Sequence, residues 1–149
     1  MKFVLRLVVI LWLAIINCHA FANQSNDSLL SEIKAYQSAY SLAVDSNLAN
    51  NQAEILLDLA TLNFKLKNYQ EVINYSSKAI PIAKRNNLLK CLVEALKLQS
   101  YAYSALEQHE NAYSIFKEHN TQKNKLRISE QENDVKLIKA THKVEKSQS

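Results

Sequence analysis

The chain has 149 residues, 18 Lys and Arg against 14 Asp and Glu for a net charge of +4, and a hydrophobic share of 48%. That is enough for one packed domain and too little for two. It contains no glycine and a single proline. Phosphate-cradling loops, dinucleotide fingerprints and strand-to-helix nucleophile elbows all need backbone that a Cβ would block, so most nucleotide enzymes are excluded at the outset.

The first 22 residues read MKFVLRLVVILWLAIINCHAFA. Lys2 and Arg6 precede an apolar run from Leu7 to Ile16, and small residues follow at Ala20 and Ala22. This is the layout of a secretory signal peptide, with cleavage expected after Ala22. A membrane anchor is the competing reading, but Leu7 to Ile16 makes only about 15 Å of helix, half the hydrocarbon thickness. Acylation of Cys18, as in a lipoprotein, is a weaker alternative because Asn17 stands where a small residue is wanted. The expected address is therefore periplasmic or secreted, with no stable membrane span after cleavage. Removing residues 1–22 takes away Lys2 and Arg6 and no acidic residue, which halves the net charge. A balance so near neutral gives no reason to expect nucleic acid as a partner. Cys91 is left without an internal disulfide partner, and its place near the start of an apolar helix suits a buried small side chain better than a reactive thiol.

From Ser28 to Asn47, Leu29, Ile33, Tyr36, Tyr40 and Ala43 fall at helical spacing and make one apolar face. Polar residues from Asn47 to Asn51 break the pattern. Asn51 with Glu54 then predicts a capping box, followed by a helix whose buried stripe is Ile55, Leu56, Leu59, Leu62 and Leu66. A tight turn at Lys67-Asn68 and a second box, Asn68 with Glu71, predict the next helix, carrying Tyr69, Val72, Ile73, Tyr75, Ala79, Ile80 and Ala83. Pro81 is expected to bend that helix or end it early. A helix over Leu88 to Leu106 and a turn at Glu107-Gln108 precede a last helix that starts with Ala112, Ile115, Phe116 and His119. From Lys123 to Ser149 charges alternate around a thin stripe of Leu126, Ile128, Val135, Ile138 and Val144, the pattern of a solvated charged helix.

A shift of forty residues places Ile33 on Ile73, Ala39 on Ala79, Ala43 on Ala83, Asn47 on Asn87, Glu54 on Glu94, Leu56 on Leu96 and Leu66 on Leu106. A fixed period of helix pairs signals a solenoid, whereas an ordinary antiparallel bundle would have to match by coincidence. At Leu56, Leu59-Ala60, Lys67-Asn68-Tyr69, Val72 and Ala79, and again at Leu96, Ser100, Tyr103, Ala112 and Phe116, the chain resembles the tetratricopeptide repeat family. Its period of forty resembles the longer variant found in bacterial regulators and sensor proteins. Asn63 departs from the pattern by standing where an aromatic is expected. The resemblance implies an all-α fold: a short right-handed superhelix of antiparallel helix pairs with a C-terminal capping or connector helix. The expected organisation is a signal peptide over residues 1–22, helical repeats over 23–122 and a charged helix over 123–149.

No catalytic constellation is present. His109, His119 and His142 lack the spacing of a zinc-protease helix, Glu107, His109 and Glu110 gather only at a turn, and carboxylates are scattered singly. No enzyme activity, metal or cofactor is expected. The family's inner-face positions fall on Glu54, Leu57, Thr61, Phe64 and Lys65 in one helix and Glu94, Lys97, Tyr101 and Ser104 in another. Exposed aromatics among hydroxyls and both charge signs suit an extended peptide. The resemblance thus implies an exported scaffold that binds a protein or peptide. The alternative is the input domain of a signalling system, a shortened relative of repeat-containing sensor kinases or cyclases, acting through its C-terminal helix. A homodimer through that helix is a further expected option.

Overall fold

The computed structural model describes residues 26–148. Five helices account for nearly all of them, and no strand occurs among the described residues: α1 (26–45), α2 (Ala49–Lys65), α3 (Tyr69–Arg85), α4 (Leu89–Ala105) and α5 (His109–Gln148). The expected all-α class is what is found. Three of the helices are 17 residues long, and helices begin at residues 49, 69, 89 and 109, so the spacing is 20 residues per helix and 40 per pair.

Each turn is closed in the same way. Asn47, Lys67, Asn87 and Glu107 adopt positive φ between 53° and 60°. The amide of the residue after each one reaches back to a carbonyl five residues earlier: Leu48 to Ala43, Asn68 to Asn63, Leu88 to Ala83 and Gln108 to Tyr103. The amides of Asn47, Lys67, Asn87 and Glu107 themselves donate to Val44, Phe64, Lys84 and Ser104. This paired closure is the Schellman motif, which satisfies carbonyls a helix end would otherwise leave open. An apolar contact that accompanies the motif is kept where Leu88 packs against the cluster holding Ala83. In the second turn Asn68 Nδ2 instead donates to Asn63 Oδ1 at 3.4 Å. Asn63 Nδ2 in turn donates to the Leu59 carbonyl at 2.8 Å, so a buried polar side chain replaces the expected aromatic without an unsatisfied group.

Two local expectations are corrected. Helix α2 starts at Ala49 rather than after Asn51, and neither Leu48 nor Asn68 makes a side-chain capping bond. Leu48 has no side-chain acceptor, and the ψ of 65° at Asn68 leaves that residue short of the extended backbone from which a cap side chain reaches N2 or N3. Nor does Pro81 end its helix: α3 continues to Arg85. The ring is exposed, while Ala79 and Ala83 on either side are fully buried. The proline thus costs one backbone bond on the solvent side, where a helix can tilt its carbonyls to water, while packing holds the opposite side in place.

The packing order follows the chain: α2 on α3, α3 on α4, α4 on α5, and α2 also on α4. Contacts between alternate helices keep a constant offset. Gln37 Nε2 donates to the Tyr75 hydroxyl at 3.0 Å, Cys91 Sγ lies 3.6 Å from the Ala53 carbonyl, and the Phe64 and Tyr101 rings are 6.3 Å apart. The separation is 37 or 38 residues in all three, and the two α2–α4 contacts, near opposite ends of the helices, show that α2 and α4 run parallel. Fully buried alanines at 53, 60, 79, 83, 95 and 102 let the backbones approach. Leu56, Leu59, Leu96 and Val72 fill the space between them. No helix among the described residues is long and apolar enough to cross a membrane. The expected signal peptide lies outside the described residues.

Candidate binding face

The α2–α4 seam brings together the residues that the repeat pattern assigns to one face. On α2, Glu54 and Lys65 are exposed, while Leu57, Thr61 and Phe64 are half-buried. On α4, Glu94, Tyr101 and Ser104 are exposed and Lys97 is half-buried. The i, i+3/i+4 spacing of 54, 57, 61, 64 and 65, and of 94, 97, 101 and 104, puts each set on one side of its helix. Parallel packing of the two helices then lays the sets next to each other.

The roles within this strip differ. Leu57 packs against three core clusters and acts as a wedge between α2 and its neighbours. Thr61 Oγ1 donates to the Leu57 carbonyl at 2.9 Å, so its hydroxyl is taken up within α2. Glu94 and Lys97 form an ion pair one turn apart, so at this surface they neutralise each other and add little stability. Phe64 stands edge-on to Tyr69 at 5.8 Å and tilted to Tyr101 at 6.3 Å, making an aromatic step at the C-terminal end of the seam. Tyr101 is 51% exposed. Phe64 is half-buried, less open than its inner-face assignment implied, because it fills the angle between α2, α3 and α4.

Sequence reasoning missed Asp58, which lies one turn beyond Glu54 and is exposed. Partial burial pushes its carboxyl above the usual range, the hydrogen bond with Tyr36 opposes this, and Glu54 and Glu32 push upward again. The Tyr36 phenol is raised in turn, first by the Asp58 charge. The signal was present in the i, i+4 spacing of Glu54 and Asp58, but the family positions skip residue 58. The strip is therefore acidic at its N-terminal end and aromatic at its C-terminal end.

The other candidates are structural or isolated. Cys91 is buried, and burial followed by Glu54 and Asp58 pushes its thiol up to about 11, which favours the protonated form at neutral pH. His109 is the first residue of α5 and is exposed. His119 lies buried between α5 and α4, 6.2 Å from the Phe116 ring, and its Nδ1 has no hydrogen-bond partner. No group of three or more His, Cys, Asp or Glu among the described residues could hold a metal ion. Comparison with protein-family models, curated proteins and solved structures gives no match for this chain.

Proposed function

We propose that this chain is an exported, tetratricopeptide-like scaffold that holds an extended protein or peptide segment along the α2–α4 seam in the periplasm. One observation carries the reading: the parallel, constant-offset packing of α2 and α4, which lines up Phe64 and Tyr101 beyond the carboxylates of Glu54 and Asp58. Such an arrangement is what a short solenoid of helix pairs provides, one helix of each pair lining a common wall. Aromatic rings anchor a ligand side chain with little entropy cost, and Glu54 and Asp58 favour Lys or Arg further along it. The preferred ligand is thus a segment with an apolar or aromatic residue spaced from a basic one.

Peptide-array binding with the wild type and with Phe64→Ala/Tyr101→Ala tests this reading. The wild type should select peptides with that spacing, and the double variant should lose at least about tenfold in affinity. Equal binding by both proteins would remove the seam from consideration. A second reading, an input domain that signals through its C-terminal helix, gains support from α5, which passes through residue 123 without a break and joins the array to the charged tail. It requires that removing residues 126–146 abolish the response to a ligand and not merely lower stability.

A further inference from the structure

Helix α5 carries two stripes in succession, and among the described residues only the first packs against another helix. Ala112, Ile115, His119, Gln122 and Leu126 are shielded from solvent at alternating steps of three and four, which is the face laid on α4. Four residues further, Glu130 pairs with Lys90, the second residue of α4, at 3.4 Å. Helix α5 thus passes the end of α4 there, and residues 131–148 continue for roughly 27 Å. Beyond Leu126 every side chain described is exposed. The second stripe, Ile128, Gln131, Val135 and Ile138, lies about 200° around the helix from Leu126. Ile128 and Val135 are each 49% exposed and Ile138 is 64% exposed. A shallow groove of about 370 Å³ runs along it, between Ile128, Val135 and the stems of Lys136 and Lys139.

We propose that this stripe pairs with the same stripe of a second copy as a short, parallel, two-stranded coiled coil. Ile128 and Val135 take the a positions and Gln131 and Ile138 the d positions, and β-branched residues at a favour two strands. The flanking charges select the orientation. In a parallel pair each g residue meets the e residue five places later on the other helix. Arg127 then faces Glu132 of the second copy, and Asp134 faces Lys139 of the second copy. Both matches are of opposite sign and both occur twice by symmetry. Antiparallel pairing with Ile128 against Ile138 would set Asp134 beside Asp134, Glu132 beside Glu132 and Lys125 beside Lys139, all repulsive. The other semi-apolar line on the tail, Leu126, Glu130, Asn133, Leu137 and Ala140, would bury Glu130 and Asn133 and offers no charge match. This pairing is independent of the α2–α4 seam, so either can fail without the other.

Sedimentation equilibrium on the full chain tests the pairing, with circular dichroism confirming that helicity is retained. Self-association should weaken at least about tenfold with Ile128→Glu and be little changed by Leu137→Glu. Arg127→Glu should weaken it, and adding Glu132→Arg should restore it. In a Cys18→Ser background, Gln131→Cys should oxidise readily to a covalent dimer, because d residues face their own counterparts only in the parallel form, and Cys91 is buried. A chain that stays monomeric at every concentration would overturn the proposal. So would association broken by Leu137→Glu but not Ile128→Glu, or a Gln131→Cys variant that fails to cross-link while dimeric.

Discussion

At the scale of single residues, burial governs the ionisation of Cys91 and His119. Cys91 is the clearest case: its thiol is held near 11 beneath α2. It should resist maleimide labelling at neutral pH in the folded protein and react fully in urea, and rapid native labelling would contradict this assignment. His119 makes a pH-dependent contribution. Burial pushes its imidazole below the ordinary value, Lys123 and Lys97 push the same way, and Glu94 with an Asn120 hydrogen bond opposes them. The unfolded state then binds more protons around pH 6, so this stability is complete above about pH 6.5 and is lost as pH falls toward the lower folded pKa. Urea midpoints of the wild type should fall between pH ~7.5 and ~5.5 by more than those of His119→Gln. Parallel pH curves for the two proteins would show that His119 does not titrate in this way. The sequence placed Cys91 correctly because its apolar neighbours recur at helical spacing. It placed His119 with Ala112 and Ile115 in the packing of the last helix, but it gave no sign that one ring nitrogen would lack a partner, since that depends on how far α5 lies against α4.

At the scale of elements, the helix periodicity was legible and the capping was not. Asn51 and Asn68 suggested side-chain caps, but Asn51 lies inside α2 and Asn68 makes no cap bond. Asn47 and Asn87 supply the left-handed residue, and Lys67 and Glu107 occupy the same position without a residue suited to it. Replacing Glu107 with Asn should therefore raise stability by about 0.5–1 kcal/mol in denaturant titration. No gain would mean that the fourth turn is not held at positive φ in solution. Pro81 was read as a helix breaker because its missing amide is visible in the sequence, whereas the fully buried Ala79 and Ala83 that hold the helix together are visible only once it is packed. Pro81→Ala restores the bond and removes the ring without opening a cavity at this exposed site. It should stabilise the chain by about 1–3 kcal/mol. A destabilised Pro81→Ala variant would point to a required bend.

At the scale of the whole molecule, a period of forty in the sequence becomes a constant 37 to 38 residue offset between alternate helices. The all-α class followed from amphipathic faces at helical spacing. Which parts of the presumed inner face open to solvent did not follow, because Phe64 and Leu57 sit where three helices meet and are shared between core and surface. Asp58 escaped notice for a related reason: its importance comes from Tyr36 on α1, a neighbour no local pattern identifies. The account therefore rests on the α2–α4 seam being the docking wall, with α3 forming the reverse side. Photo-crosslinking tests this most directly, with a benzophenone side chain placed at Ser104 on the seam or at exposed Lys78 on α3. The account predicts that a selected peptide cross-links through position 104 and not through position 78, and that excess unlabelled peptide suppresses the product. Efficient cross-linking from position 78, or equal yields from both, would contradict it.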